Sequence, residues 1–246
     1  MLKIFGLPIS DISYSETINQ IKTWLKQPGQ YLIVTVNPEI LLQAKKDLSY
    51  RNILQKSSLC VPDGFGIILL SYLIGKALTK GRVRGVDLAD HLMSNALSSG
   101  HNVFLIGNSE TVLTKVASKY EGGINYTVGP MFTSKASFPL NDPVNNELIN
   151  KIKAAKPDIL LVAFGAPKQE YWLNYYLSQL PSVKVGIGVG GSFDYLGKKV
   201  GRAPSFFQKL GLEWFWRVLR QPWRLIRIIR AVIIFPILAI FDHFKH

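Results

Sequence analysis

The chain has 246 residues, 29 Lys and Arg against 16 Asp and Glu, a formal charge of +13 and one cysteine. That length can bury a sizeable core and suits one α/β domain with an appendage. A lone cysteine excludes an intrachain disulfide, and Cys60, in the apolar run SLCV, reads as a buried structural thiol.

In chain order, MLKIFGLPISDISYSE lacks a charged leader followed by a long apolar core, so no signal peptide is expected. Periodicity predicts helices over 14–26, 38–48, 65–74, 85–99, 110–119, 144–156 and 168–180. Short β-branched runs predict strands over 31–36, 59–61, 103–106, 126–128, 159–164 and 183–189. The proline-bearing stretch 129–143 reads as loop. Alternation of apolar strands with helices implies an α/β fold whose mostly parallel sheet is covered on both faces.

Residues 1–197 are expected to form the core and 198–246 a basic amphipathic helical appendage, with 197–204 as the hinge. Residues 198–246 hold ten basic and two acidic residues, so +8 of the charge lies there. Arg217, Arg220, Arg224 and Arg227 stand three or four apart, which lines them along one helix face beside Trp214, Trp216, Trp223 and branched apolar residues. A cationic ridge next to aromatic and aliphatic side chains suits anionic headgroups meeting hydrocarbon. The longest uncharged run there, AVIIFPILAIF (231–241), is too short to span a bilayer. The expectation is a protein lying on a membrane.

Ligands of open parallel sheets bind beyond the carboxyl ends of the strands, and polar clusters recur at those positions. Pro62-Asp63-Gly64 offers a carboxylate that reads either as a cap for the following helix or as a general base. No histidine is near a strand end, which favours a carboxylate in that role. Thr35 and Asn37 end a strand; an Asn-Pro turn explains them as well as hydrogen bonds to sugar hydroxyls do. Gly165-Ala-Pro-Lys-Gln169-Glu170 leaves a strand with small residues and more polar groups than a cap needs. Arg82 and Arg84 precede a helix, as phosphate ligands or solvated loop charges.

Gly186-Ile-Gly188-Val-Gly190-Gly191 matches the spacing of the dinucleotide fingerprint, but lies in the last strand with no acidic residue in the required place. A glycine-rich strand end closely approached by substrate fits it better, and a nicotinamide oxidoreductase loses support. D-x-D, H-E-x-x-H, C-x-x-C, G-x-S-x-G and P-loop patterns do not occur.

Read in order, TVNPE (35–39), VPDG (61–64), GRVRGVDL (81–88), FLIGN (104–108), GAPKQE (165–170), GGSFD (190–194), GRAP (201–204) and GLEWFWR (211–217) resemble the WecG/TagA/CpsF glycosyltransferases, glycosyltransferase family 26. The resemblance runs from about residue 2 to 230. It implies a Rossmann-like sheet and an inverting hexosyltransferase that needs no metal or other cofactor. It also implies a UDP-sugar donor, a polyprenyl-diphosphate-linked sugar acceptor and a C-terminal appendage that docks on the membrane. By position, Asp63 corresponds to the proposed base; Thr35, Asn37, Arg82 and Gln169 to pocket residues; Arg217, Arg224 and Arg227 to appendage arginines. Gly81 stands where the family usually has Glu.

Those arginines, with backbone amides, would neutralise the departing diphosphate. The implied location is the inner face of the plasma membrane, in cell-surface polysaccharide or teichoic acid assembly. N-acetylmannosamine is the first choice of donor sugar and GlcNAc of acceptor sugar, with N-acetylmannosaminuronic and glucuronic acid as alternative donors. A non-enzymatic binder of anionic membranes or nucleic acid is the competing class, but it leaves the strand-end clusters unexplained, so no nucleic-acid partner is expected. A homo-oligomer stays open.

Overall fold

The computed structural model describes residues 2–120, 123–130, 143–197, 216 and 225–245. It opens with a hairpin that the sequence pattern did not predict. Leu2–Ile4 (β1) and Leu7–Ile9 (β2) pair antiparallel, Leu2 opposite Ile9. Phe5 and Gly6, at φ of 52° and 76°, turn the corner, as a two-residue turn matched to strand twist requires. Three-residue strands are too short to display alternation.

Six strands follow: Tyr31–Val36 (β3), Leu59–Pro62 (β4), Val103–Gly107 (β5), Asn125–Val128 (β6), Ile159–Val162 (β7) and Val185–Gly188 (β8). They form one sheet in the order β4-β3-β8-β7-β5-β6, parallel throughout. Every residue of β5, β7 and β8 is buried. Strands covered on both faces need apolar side chains in both directions, so their runs are continuous.

One face carries Tyr14–Lys26 (α1), Gly85–Ser94 (α5), Glu110–Ala117 (α7) and Ser192–Leu196 (α10), packed through Ile21, Leu88, Leu113 and Phe193. The other carries Pro38–Lys46 (α2), Leu48–Gln55 (α3), Phe65–Leu73 (α4), Pro143–Ala155 (α8) and Lys168–Tyr176 (α9). A short helix, Ala96–Ser99 (α6), follows α5. The α/β class with a covered parallel sheet is thus as expected.

Two predicted helices divide. The one expected over 38–48 stops at Lys46, because Asp47 turns extended and caps a further helix, α3, accepting from the Tyr50 amide at 3.3 Å. The one expected over 85–99 breaks at Asn95. In β8 the glycines Gly186 and Gly188 admit side chains of α9. A Cβ on Gly186 would come within 2.9 Å of Leu173 Cδ2, and one on Gly188 within 2.6 Å of Gln169 Nε2. Gly186 and Gly188 thus record close helix–strand packing, whereas a Cβ on Gly190 or Gly191 would meet nothing within 4 Å.

The chain ends in helical residues Leu225–Ile229, a π-helical stretch Arg230–Ile234 and helix Phe235–Lys245. Phe235 is fully buried, edge-on to Phe5 with ring centroids 6.2 Å apart. Asp242 pairs with Lys45 at 3.6 Å. This described part of 198–246 is therefore packed on the core beside α2, α4 and the hairpin.

Candidate active site

The carboxyl ends of β4, β3, β8 and β7 are consecutive across the sheet, and Thr35, Asn37, Asp63 and Gln169 follow or end those strands. Thr35 is buried near the end of β3, in register with Val61. Its hydroxyl donates to the Gly188 carbonyl on β8 at 3.2 Å. Asp63 follows β4, its backbone amide donating to Val36 O at 2.7 Å, which continues the parallel ladder one residue beyond the strand.

The N-cap of α4 is Gly64, one residue beyond Asp63. Asp63 Oδ2 accepts from the Gly85 amide at 3.2 Å, at the first residue of α5, twenty-two positions on. The link holding α5 there is Val83 N–H to Pro62 O at 2.8 Å. A helix N-terminus presents amides with partial positive charge, a setting that suits an anion.

Gly85 is the residue whose importance sequence reasoning missed. A Cβ there would lie 3.2 Å from Thr35 Oγ1 and 3.5 Å from Asp63 Oδ2. Thr35, Asp63 and Gly85 therefore converge at one point. The only signal in the sequence was a small residue opening a helix just after R-V-R.

Gln169 is buried at the start of α9. Its Oε1 accepts from the amides of Gly165 at 3.1 Å and Gly190 at 2.9 Å, tying together the loops that leave β7 and β8. Its Nε2 donates to Glu170 Oε1 at 2.7 Å, and Glu170 Oε2 accepts from the Tyr50 hydroxyl at 3.0 Å. Burial pushes the Glu170 carboxyl up to about 7, while the bonds from Gln169 and Tyr50 pull the other way. The sequence flagged Gln169 but not the Glu170–Tyr50 support behind it.

Asn37 caps α2, its Oδ1 accepting from Glu39 N at 3.0 Å and Ile40 N at 3.1 Å; the capping half of its double reading is thus realised. Arg82 is half-buried in the link before α5. Arg84 Nε donates to Asp87 Oδ2 at 2.5 Å. Arg217 and Arg224 lie outside the described residues. Arg227 is on the helical segment Leu225–Ile229, with its side chain outside the description.

Cys60 is buried, as its sequence context implied; burial raises its thiol to about 11, so it stays protonated and inert at neutral pH.

Comparison with known proteins gives the same reading for the whole chain. A protein from Bacillus spizizenii named N-acetylglucosaminyldiphosphoundecaprenol N-acetyl-beta-D-mannosaminyltransferase is 35% identical over 217 residues, 87% of this chain and 80% of its own. The protein of that name from Bacillus subtilis is 34% identical over 224 residues, 90% of this chain and 84% of its own. One from Staphylococcus aureus is 30% identical over 234 residues, 94% of this chain and 89% of its own. The model of the Glycosyl transferase WecG/TagA/CpsF family matches residues 2–246, and this chain belongs to that family.

Proposed function

We propose that this protein transfers an N-acetylmannosaminyl group from a UDP donor to the sugar of N-acetylglucosaminyl-diphospho-undecaprenol, inverting the anomeric centre. The names of the relatives support the sugar and the acceptor; UDP, inversion and metal independence follow from the sequence resemblance. The observation that carries the mechanism is the meeting of Asp63, Thr35 and Gly85 at adjacent strand ends.

Asp63 takes the proton of the acceptor hydroxyl as its oxygen attacks the anomeric carbon, and the bond from that carbon to UDP breaks on the opposite side. The Gly85 amide keeps the carboxylate oriented for this transfer. The Thr35 hydroxyl borders the same point. Gln169 holds the loops after β7 and β8 in fixed relation, which shapes the crevice where a donor would lie. Negative charge growing on the departing diphosphate is met by Arg82 and by Arg217, Arg224 and Arg227 of the appendage.

In this reading residues 1–197 are the catalytic core and 198–246 bring the core to the cytoplasmic face of the membrane. No helix of the described residues is long and apolar enough to cross one. Because Phe235 fills the core, deleting 198–246 would disturb the core together with the appendage; substitution is the sound probe of docking.

The decisive experiment is Asp63→Asn. Turnover of a short-chain lipid-diphosphate-GlcNAc acceptor should fall about 10²–10⁴-fold, with UDP binding by calorimetry retained. Undiminished turnover would remove Asp63 as the base.

A further inference from the structure

Helix α4 has the sequence FGIILLSYL, without a charged residue. Its inner side, Ile67, Leu70 and Ser71, is buried. Its outer side is not: Phe65, Leu69, Tyr72 and Leu73 are 44–60% exposed. Those four stand at i, i+4, i+7 and i+8 and make one continuous apolar stripe. An uncharged helix with an apolar stripe facing outward has a second apolar phase to meet.

The neighbouring surface has the same character. The C-terminal helix lies against α4, a Cβ on Gly66 coming within 3.9 Å of Ala231 O. Phe235 and Ala239 anchor it inward. Outward it shows Ile226, Ile233, Ile237 and Phe241, all about half exposed or more. The two stripes belong to abutting helices and are rimmed by the exposed Lys76, just past α4, and Arg230. Asp242, the acid on the second helix, is paired with Lys45.

We infer that α4 and the C-terminal helix together form the bilayer-facing surface, with Phe65, Leu69, Tyr72 and Leu73 of the catalytic core entering the headgroup–acyl boundary. The inference rests on the membrane reading above and adds that the core itself touches lipid. An anionic bilayer is the partner because the apolar area is flanked by the exposed cations Lys76 and Arg230 and the segment 198–246 carries +8. The arrangement has a catalytic consequence. Asp63 sits two residues before Phe65, so α4 lying on the bilayer holds the base at the depth where a lipid-linked diphosphate emerges from the headgroups.

The test uses the full chain and vesicles of equal parts phosphatidylethanolamine and phosphatidylglycerol, read by co-sedimentation. Leu69→Asp/Leu73→Asp should weaken vesicle binding roughly a hundredfold, about tenfold for each leucine withheld from the acyl boundary. Turnover of a water-soluble short-chain acceptor should stay intact, which also verifies folding. Val144→Asp, an equally exposed apolar site on α8, should change nothing. Ile226→Asp/Ile233→Asp probes the C-terminal helix alone. If it abolishes binding while the α4 pair binds like the parent chain, the α4 surface is overturned and the membrane reading stands. If the parent chain itself ignores vesicles, both fall. If the α4 pair instead dissociates a dimer in sedimentation velocity, the surface belongs to a second copy. As a measurement independent of those variants, a polarity-sensitive dye on Leu73→Cys should shift to the blue with vesicles; no shift overturns the proposal. The native Cys60, buried with a raised thiol pKa, should not compete for label.

Discussion

Helices α4 and α9 both begin just after a strand-end motif, yet they use it in opposite ways. Before α4 the polar residue, Asp63, accepts from the first amide of α5. The helix that follows carries no charge and shows an apolar side outward. At the start of α9 the polar pair Gln169–Glu170 turns inward, is buried, and spends its hydrogen bonds on Gly165, Gly190 and Tyr50. Similar sequence grammar thus produces a carboxylate held at a neighbouring helix N-terminus, the proposed base, on one side and an internal brace on the other. The deciding factor is what stands opposite: a helix N-terminus across from Asp63, and Gly188, without a side chain, across from Gln169.

Two glycine substitutions sharpen that contrast. Gly188→Ala drives a methyl group to 2.6 Å from Gln169 Nε2 and 2.9 Å from Glu170 Oε1, where a hydrogen-bonded buried pair has little room to yield. Overpacking of this kind costs about 1–3 kcal/mol, and the high end is expected in urea unfolding. Gly85→Ala places its methyl at 3.2–3.5 Å from Thr35 and Asp63, which a shift of a few tenths of an ångström relieves. Its stability loss should stay under about 1 kcal/mol, while kcat falls by about tenfold or more because the base is displaced. Equal effects on stability and turnover in both variants would erase the distinction between brace and reactive site.

The brace also has a pH signature. The Glu170 carboxyl is raised from 4.5 to about 7 in the folded chain, chiefly by burial. Between those values the folded state holds a proton that the unfolded state has lost. Stability is therefore full below pH 4.5, falls as pH rises toward about 7, and then levels; the loss is about 3 kcal/mol at most. Glu170→Gln cannot ionise and should flatten this slope, gaining on the parent chain at pH 8 and not at pH 4.5. Parallel melting-temperature profiles for the two proteins would show that Glu170 does not titrate as its burial requires.

These residues also mark how far the sequence could be read. The parallel sheet was legible because doubly covered strands leave continuous apolar runs, as in VFLIG and ILLV. Thr35, Asp63 and Gln169 were legible as strand-end groups because ligand sites of such sheets form there. What each side chain does at that position was not. The Gly85 amide reaches Asp63 across twenty-two residues, and Tyr50 reaches Glu170 across 120; neither pairing leaves a local pattern. The packing role of Gly186 and Gly188 in β8 was hidden for the same reason. Their spacing fits a ligand loop, but what approaches them is Leu173 and Gln169 from α9. The hairpin β1–β2 was too short to show a period.

The smallest effect concerns Asn37, which lies between the two behaviours. Its Oδ1 is engaged in capping α2, as a structural residue would be, yet it stands at the same strand end as Thr35. Aspartate caps about as well as asparagine, so Asn37→Asp should leave stability within a few tenths of a kcal/mol of the parent. It removes only the amide N–H donors and adds a charge. If those donors hold a sugar hydroxyl, KM for the donor sugar should rise by about tenfold, the worth of one hydrogen bond whose acceptor is left unpaired, and calorimetry with UDP alone should be less affected. If KM and stability are both unchanged, Asn37 belongs with Gln169 as part of the frame, and Thr35 and Asp63 are left to define the sugar side of the crevice.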